Sequence, residues 1–329
     1  MTVLKPLKIV GTGVSLPPKV VTNDDLSRLV ETSDQWITER TGIKRRRVAA
    51  EDVATSDLCA EALEQACTNA AISPSDLDAL IVGTSTTDTL FPSTACWVQH
   101  KLGLSGPAAF DVSAGCSGFL YGLELASALI TAGTAERVAV VGGESMSKVV
   151  NWTDRNTCVL FGDGAGAAII TRGDGDSGVL ASNWGADGNL APILYQPAGG
   201  SRRPASHATV DAAAHTVHME GNTVFKHAAL AMTQAAKTAM KGAQLGADAV
   251  DLFIPHQANI RIMEIARKRL GVPREKMMVI LNDYGNMSAA TIPVALHQAH
   301  QQGRIVDGST VLMTAFGTGF TWGAAVLRW

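Results

Sequence analysis

The hydrophobic positions of this chain form two kinds of pattern that alternate from end to end. Short runs dominated by Val, Ile and Leu have the length of buried strands, and alanine-rich stretches with helical spacing lie between them. The strand-like runs are LDALIVGTS (77–85), RVAVVGG (137–143), AGAAIITR (165–172), VDLFIPH (250–256) and STVLMTAF (309–316). This alternation predicts an α/β architecture in which helices cover sheets.

The two halves of the chain resemble each other. The recurring segments are LDALIV (77–82) with VDLFIP (250–255), and KLGL (101–104) with RLGV (269–272). After each pair come a strand-like run, a turn and an alanine-rich helix, with Cys116 at the first turn-to-helix junction and Asn286 at the second. An internal duplication of this kind would bring the two side chains together across a pseudo-twofold axis.

Two segments rich in small and polar residues interrupt the pattern. The Gly/Asp-rich segment 172–178 is a plausible seam, and we divide the chain there into an N-terminal half, 1–175, and a C-terminal half, 176–329. The stretch YQPAGGSRRPASHATVD (195–211) predicts a long mobile loop, and such loops in compact domains often carry function.

Composition narrows the class of protein. The chain has 329 residues, 46% hydrophobic and 17% charged side chains and a net charge of -3, which argues against nucleic acid as the main partner. Five cysteines without a CxxC pair, and an N-terminal segment without a continuous apolar run, predict a reduced cytoplasmic protein with no signal peptide. Only Glu124 is charged between Asp111 and Glu136, but Gly, Ser and Thr interrupt this window, which predicts a buried core helix rather than a membrane span.

Cys116 is the first candidate for chemistry, because it lies among small residues just before an apolar helical run. Unpaired N–H groups and a partial positive charge at a helix N-terminus lower the pKa of a thiol, and the same amides can donate to the oxyanion of an attacked thioester. A small buried hydrophobic residue is the alternative interpretation of Cys116, and the local sequence leaves both open.

Three further positions are candidates. His256 follows a strand and lies in IPHQANIRI, Asn286 begins a helix in YGNMSAA, and Thr318 lies between two glycines in FGTGFTWG. Each has a structural alternative, since a lone histidine is often a satisfied core residue, an asparagine caps helices, and a glycine-rich segment forms tight turns.

Taken together, the motifs resemble those of the β-ketoacyl-acyl carrier protein synthase III family, within the thiolase superfamily, over essentially the whole chain. They are TSDQWITERTGI (32–43), FPSTAC (91–96), DVSAGCSGF (111–119), TDRNT (153–157), FGDGAGAA (161–168), GNTVFK (221–226), PHQANIRI (255–262), GNMSAAT (285–291) and FGTGFTWG (316–323). The resemblance implies a thiolase-like fold, a duplicated α/β unit in five layers (α-β-α-β-α), and a homodimer.

The resemblance also implies site roles. Cys116 would be the acylated nucleophile and His256 and Asn286 its partners, with the backbone N–H groups of Cys116 and Thr318 as the oxyanion hole. Phe91 would reach across the dimer to the partner's acyl pocket. Coenzyme A would be held by Thr32, Trp36, Arg40, Arg155, Gly221 and Asn259. Met287 departs from the more frequent Thr of GNTSAA, which predicts an altered wall of the acyl pocket and a changed acyl-chain preference, and Thr318 replaces the middle glycine of FGGGF.

The implied reaction is a decarboxylative condensation of a short acyl-CoA, such as acetyl-CoA, with malonyl-acyl carrier protein, without metal or redox cofactor. The carrier is acidic, and the helix NIRIMEIARKRL offers cations away from its apolar face. A solvated basic helix end is the alternative interpretation. The predicted docking residues are Lys226, Arg261, Arg267, Lys268 and Arg269.

Three other functions compete with this one. The order Cys116, His256, Asn286 is that of a papain-like hydrolase, but in that family the cysteine lies near the mature N-terminus and an aromatic residue follows it. A related acyltransferase would load Cys116 but pass the acyl group to an oxygen or nitrogen acceptor. A nucleotide-binding protein would rest on GDGAGA (162–167), where the strand-like AAIITR follows and a dinucleotide site needs a helix, so close packing is predicted there instead.

Overall fold

The computed structural model describes residues 5–173 and 177–329. Its strands are β1 (Lys5–Ser15), β2 (Val20–Thr22), β3 (Arg45–Arg47), β4 (Ala79–Gly83), β5 (Ala108–Val112), β6 (Arg137–Ser145), β7 (Asp163–Arg172), β8 (Gly178–Ala186), β9 (Leu194–Tyr195), β10 (His218–Met219), β11 (Leu252–Pro255), β12 (Thr310–Gly317) and β13 (Thr321–Arg328). Its α-helices are α1 (Asn23–Ser27), α2 (Asp34–Thr41), α3 (Thr55–Asn69), α4 (Thr94–Leu102), α5 (Gly118–Thr131), α6 (His207–Asp211), α7 (Gly221–Gly242), α8 (Ile260–Leu270), α9 (Leu281–Tyr284) and α10 (Thr291–Gln301).

Nine strands are hydrogen-bonded in the order β11-β12-β13-β8-β1-β7-β6-β4-β5, and they form two sheets that meet at a short contact. The first sheet contains β5, β4, β6, β7 and β1, and the second contains β8, β13, β12 and β11. The contact is the pairing of Lys5 and Pro6 with Val179 and Gly178. Both sheets are mixed, since β4 runs parallel to its neighbours and β11 parallel to β12, while the other main pairs are antiparallel.

The central strands are apolar on both faces because helices cover both sides. Along β6, Val138 and Val140 join one buried cluster, whereas Ala139 and Val141 join another on the opposite face. Alternate residues of a strand point to opposite faces, so a strand between two helical layers reads as a continuous apolar run. This pattern explains why the strands are easily recognised in the sequence.

The helices form three layers around the two sheets. One outer layer, α3 and α4, covers the first sheet, and the other, α7 and α8, covers the second. Between the sheets lie α5, which contacts β4 and β6 on one side and β12 and β13 on the other, and α10, which contacts β1, β7 and β11. The predicted α-β-α-β-α arrangement is confirmed, and α5 is the predicted buried core helix.

The predicted correspondence between the halves is also present. β4 and β6 are the counterparts of β11 and β12, and short 3-10 turns precede both central helices, at Gly115–Ser117 and Ser288–Ala290. Among the described residues the counterpart of β5 is reduced to a single bridge between Phe253 and Met277. The division into 1–175 and 176–329 stays a prediction, because its boundary falls in residues 174–176, outside the described residues.

Two further sequence predictions have clear outcomes. GDGAGA lies at the start of β7, and close packing is confirmed, since a Cβ on Gly162 would lie 2.4 Å from the Tyr284 carbonyl oxygen. The stretch 195–211 is not wholly a loop, because β9 pairs with β10 and α6 spans His207–Asp211. Over residues 5–173 and 177–329, none of the helices combines the length and the apolar character that crossing a membrane requires.

Candidate active site

Cys116 lies at the entry to central helix α5, in the 3-10 turn Gly115–Ser117. The glycines on either side of Cys116 are required because neighbouring backbone leaves no room for a side chain there. Gly115 has a φ of +55°, and a Cβ there would lie 2.5 Å from the Thr318 nitrogen. A Cβ on Gly118 would lie 3.0 Å from the Gly83 Cα. Glycine is therefore needed on both sides of the thiol for the loop and strand to approach it.

The matching junction of the second half carries Asn286 and Ser288. Ser288 has a φ of +45°, which is rare outside glycine, and this conformation turns its groups toward several partners. Its N–H donates to the Asn286 Oδ1 at 2.8 Å, which fixes the amide so that the Nδ2 is the group left to donate. Its hydroxyl donates to the Glu144 carboxylate at 2.8 Å and faces the Cys116 thiol.

His256 follows β11 and is completely buried. Its backbone N–H donates to the Thr314 carbonyl at 2.7 Å. Its ring packs edge-on against the Phe316 ring, with the two ring centroids 5.4 Å apart. The ring Nδ1 lies 2.7 Å from the Thr291 hydroxyl, and the Thr291 hydroxyl lies 2.9 Å from the Ser288 carbonyl. The ring Nε2 is buried and has no hydrogen-bond partner in the described structure.

These contacts bring the two halves together around one residue. Ser288 bonds Asn286 through its N–H, faces Cys116 through its hydroxyl, and connects to His256 through its carbonyl and Thr291. The turn that carries Cys116 packs against the turn of Ser288. The expectation that the duplication would join Cys116 and Asn286 is therefore confirmed at the level of their two turns. Ser288 was not identified from the sequence, where its residue type carries no distinguishing signal.

Burial controls the ionisation of both the thiol and the imidazole. It lowers the pKa of His256 to about 3, so the imidazole is neutral at physiological pH. It also raises the pKa of Cys116 to about 12, against the smaller opposing effect of the Ser288 hydroxyl, and the nearby Glu144 carboxylate raises it further. The prediction of a lowered thiol pKa is therefore wrong, because loss of solvation outweighs the helix terminus.

Glu144 is a fully buried carboxyl group that the sequence analysis missed. It accepts hydrogen bonds from the hydroxyls of Thr86 at 2.6 Å and Thr84 at 3.3 Å, and from the Ser85 N–H at 3.1 Å, besides Ser288. Burial raises the pKa of Glu144, although the hydrogen bonds from these donors oppose the increase. A lone Glu at a strand end gives no sequence signal of such a network.

The loop after β12 completes the wall beside Cys116. A Cβ on Gly317 would lie 2.6 Å from the Cys116 nitrogen and 2.7 Å from the Ala114 carbonyl oxygen. The backbone at Thr318 lies correspondingly close to Gly115. The structure thus places the two N–H groups predicted as an oxyanion hole, those of Cys116 and Thr318, on adjoining turns.

A cavity of about 350 Å³ opens over the thiol. Its lining is largely apolar with a few hydroxyls, and comprises Ser85, Ser113, Cys116, Met146, Val149, Phe161, Ala191, Leu194, Tyr195, Gln196, Val217, Ser288, Thr318 and Gly319. Tyr195 and Gln196 belong to the stretch predicted to carry function.

Met287 does not line this cavity, contrary to the expectation that it alters the pocket wall. It is buried in the central core and approaches Gly164.

The residues predicted to hold coenzyme A gather around Trp36. The guanidinium groups of Arg40 and Arg155 lie 4.6 Å and 5.2 Å from its ring centroid. Asn259 donates to the Arg40 carbonyl at 3.0 Å, and Thr32 has a buried hydroxyl without a partner in the described structure.

Gly221 begins α7 beside this surface. One turn later on α7, the ring centroid of Phe225 lies 5.3 Å from the guanidinium of Arg261. Arg261 belongs to α8 and follows Asn259 by two residues. Gly221 therefore lies on the helix that packs next to the rest of the predicted coenzyme A residues.

Phe91 is 82% exposed, and Leu90 beside it is 79% exposed, so two large apolar side chains project into solvent from one loop of this chain. Such exposed apolar side chains are typical of an interaction surface.

Four of the five predicted docking cations are exposed, and one is not available. Lys226, Arg261, Lys268 and Arg269 lie on the exposed faces of α7 and α8. Arg267 is only 14% exposed, pairs with Glu264 at 2.8 Å and donates to the Val272 carbonyl at 2.7 Å. Arg267 therefore caps α8 and is withdrawn from the predicted docking surface.

Comparisons with known proteins agree with one family. A model of 3-oxoacyl-[acyl-carrier-protein] synthase III matches residues 110–188, and a model of its C-terminal region matches residues 240–329. A β-ketoacyl-[acyl-carrier-protein] synthase III of Caldanaerobacter subterraneus is 51% identical over 98% of this chain and 97% of its own length. The enzyme of the same name from Natranaerobius thermophilus is 50% identical over 98% of this chain and 99% of its own length.

Solved structures give the same result for the fold. The crystal structure of 3-oxoacyl-[acyl-carrier-protein] synthase III from Aquifex aeolicus superposes with a TM-score of 0.91 at 44% identity, covering 98% of this chain and 100% of that one. The enzyme from Thermus thermophilus gives a TM-score of 0.89 at 44% identity, covering 98% of both chains. The thiolase-like fold predicted from the motifs is confirmed, and on this full-length similarity the chain belongs to the β-ketoacyl-[acyl-carrier-protein] synthase III family.

Proposed function

We propose that the protein condenses a short acyl-CoA, such as acetyl-CoA, with malonyl-acyl carrier protein, releasing carbon dioxide and coenzyme A and starting fatty acid synthesis. The observation that carries this proposal is the buried Nε2 of a neutral His256, which has no hydrogen-bond partner among residues 5–173 and 177–329 and belongs to the same cluster as Asn286 and Cys116. An unpaired polar atom in a buried site is costly unless a ligand satisfies it.

The first half-reaction transfers the acyl group to Cys116. The sulfur attacks the thioester carbonyl, the N–H groups of Cys116 and Thr318 donate to the oxyanion, and the bond to the coenzyme A sulfur breaks. The thiol proton leaves with coenzyme A, which departs as the free thiol. Burial raises the pKa of Cys116 to about 12, so the thiol is protonated in the described structure and its proton must leave in the attack.

The second half-reaction forms the carbon–carbon bond. His256 Nε2–H and Asn286 Nδ2 donate to the thioester oxygen of the malonyl group, which stabilises the enolate formed as carbon dioxide leaves. The enolate carbon attacks the acyl group on Cys116, and the thiolate released takes up a proton. An asparagine suits position 286 because a carboxylate there would repel the enolate.

Coenzyme A is proposed to bind on the surface around Trp36, with Trp36 and Arg155 as the pair that holds the adenine. Thr32, Arg40, Gly221 and Asn259 would line the channel toward Cys116. The two guanidinium groups over one indole support a site for a flat aromatic group beside phosphates. The proposed chemistry needs no redox cofactor, since both half-reactions conserve oxidation state, and it needs no metal, since N–H groups of the protein serve as the donors to both developing oxyanions.

The carrier protein is proposed to dock on Lys226, Arg261, Lys268 and Arg269, which are exposed near the proposed channel mouth. Reversing charge at Arg261 and Lys268 is expected to raise the KM for malonyl-carrier protein about tenfold and to leave acyl-CoA loading unchanged. Reversing charge at Lys237 and Lys241 together is the matched control, because both are exposed on α7, about 16 Å or more along the helix from Lys226. Equal loss of loading and carrier binding would count against the surface.

A homodimer is proposed from the two exposed apolar side chains of the Phe91 loop, with Phe91 entering the acyl pocket of the partner subunit. The family membership supports this assembly, and a cytoplasmic location stays a prediction. Phe91→Ala is expected to change the acyl-chain preference without preventing dimer formation, which sedimentation and substrate competition would measure.

The proposed reaction is tested by mixing the protein with acetyl-CoA and malonyl-carrier protein and measuring both carbon dioxide release and the mass of the carrier. A β-ketoacyl carrier formed with stoichiometric carbon dioxide supports the condensation. Acyl transfer to an oxygen or nitrogen acceptor without decarboxylation would instead support the alternative acyltransferase. Cys116→Ala is expected to abolish the product.

A further inference from the structure

Neutral His256 can carry only one ring proton, and its position decides what the residue can do. A proton on Nε2 lets the ring donate to a thioester oxygen, whereas a proton on Nδ1 leaves Nε2 as a bare acceptor that would repel that oxygen. The nitrogen that carries the proton is set by the hydrogen bond made by the other nitrogen. In the described structure the partner of Nδ1 is the hydroxyl of Thr291, at 2.7 Å.

We propose that Thr291 is a positioning residue that donates its hydroxyl proton to His256 Nδ1 and thereby keeps the ring proton on Nε2. This inference rests on the proposed condensation, in which His256 donates from Nε2. Thr291 is fully buried at the first residue of α10, so its hydroxyl has no solvent partner to compete for the bond.

The competing acceptor is the Ser288 carbonyl, to which the Thr291 hydroxyl is also placed to donate at 2.9 Å, and the single hydroxyl proton serves one of the two acceptors at a time. This carbonyl does not depend on the hydroxyl, because the backbone N–H of Thr291 donates to it as well. The local contact is also what helical geometry imposes on a threonine, whose side-chain oxygen lies over the carbonyl three or four residues earlier. The contact with His256 spans 35 residues of sequence and has no such local cause.

The two distances favour the same assignment. The Thr291 hydroxyl lies 2.7 Å from the ring Nδ1 and 2.9 Å from the Ser288 carbonyl, so it is nearer to the ring nitrogen than to its local acceptor. Burial lowers the pKa of His256 to about 3, so the ring does not take up a second proton at physiological pH.

The direct test is the tautomer of His256 itself, measured by nitrogen NMR of protein carrying labelled histidine. The chain contains 8 histidines, and the His256 signals are assigned by their loss in His256→Gln. The expected spectrum of the unaltered protein has the proton on Nε2. A spectrum with the proton on Nδ1 overturns the inference without requiring any variant of Thr291 to fold.

The variants add a functional readout. Thr291→Val keeps the shape but removes the hydroxyl, and is expected to shift the ring proton toward Nδ1 and slow decarboxylation about 10- to 100-fold. Loading of Cys116 is expected to stay within about twofold, because His256 is not used in that step. Thr291→Ser keeps the hydroxyl and is expected to retain the Nε2 proton and most of the decarboxylation rate.

Equal loss in Thr291→Ser and Thr291→Val would show that packing and not the hydroxyl matters, and would overturn the inference. Undiminished decarboxylation in Thr291→Val would do the same. The failure of the proposed function is distinguishable, because the NMR measurement requires no substrate. If the protein condenses no acyl-CoA, the tautomer still reports whether Thr291 controls His256.

Discussion

The burial of neutral His256 predicts a specific loss of stability in mild acid. The pKa of this imidazole is about 3 in the folded protein and about 6.5 in the unfolded chain. Between these values the unfolded chain binds a proton that the folded protein does not, so the free energy of unfolding falls as pH falls. The stability is fully present above pH 6.5 and is lost progressively toward pH 3.

The magnitude follows from the two pKa values. Each pKa unit corresponds to about 1.4 kcal/mol, so the full effect is about 5 kcal/mol, of which about 2 kcal/mol is lost between pH 7 and pH 5. His256→Gln removes the titrating group and its share of the pH dependence. Other shifted groups, such as Glu144, Asp163 and His297, titrate in both proteins and cancel in the comparison.

The assay is urea unfolding of both proteins at pH 7 and pH 5, at one protein concentration. The unaltered protein is expected to lose about 2 kcal/mol more than His256→Gln over this interval. Equal losses in the two proteins would mean that His256 titrates normally in the folded state. That result would refute the lowered pKa of His256 and the burial argument that accounts for it.

Three further changes test other parts of the site. Asn286→Asp is isosteric but replaces the Nδ2 donor with a carboxylate, and is expected to slow decarboxylation about 100- to 1000-fold while Cys116 still loads, as single-turnover rates would show. Gly317→Ala places a Cβ 2.6 Å from the Cys116 nitrogen, so we expect a loss of about 1–3 kcal/mol in urea unfolding together with slower loading. Trp36→Ala removes the ring that two guanidinium groups contact, and is expected to raise the KM for acyl-CoA about tenfold with kcat unchanged in steady-state assays.

Much of the fold could be predicted from the sequence because its strands lie between helical layers. Strands such as β6 and β12 are apolar on both faces, so each appears as one continuous run. The likeness of the two halves is enough to assign Cys116 and Asn286 to matched helix entries from the sequence alone. The strand β9, which ends at Tyr195, and the helix α6 within 195–211 were missed, because short elements in a polar segment have no periodicity to detect.

The site was predicted less completely, because its chemistry depends on burial and on long-range contacts. Ser288, Glu144 and Thr291 connect the predicted residues, yet none has a local signal, since the contacts that join the two halves, Ser288 to Glu144 and Thr291 to His256, are distant in sequence. The raised pKa of Cys116 was missed for a related reason. A helix terminus is visible in the sequence, whereas the depth at which it is buried is not.

The most direct test of the account is to identify the residue that becomes acylated. The protein and Cys116→Ala are mixed with acetyl-CoA and then with a series of short acyl-CoA thioesters, and intact mass and peptide mass are recorded. We predict one acyl group on Cys116, with the other four cysteines unmodified, and no gain in Cys116→Ala. A gain that survives in Cys116→Ala, or no gain with any of these thioesters, would contradict the central claim that Cys116 carries the acyl group.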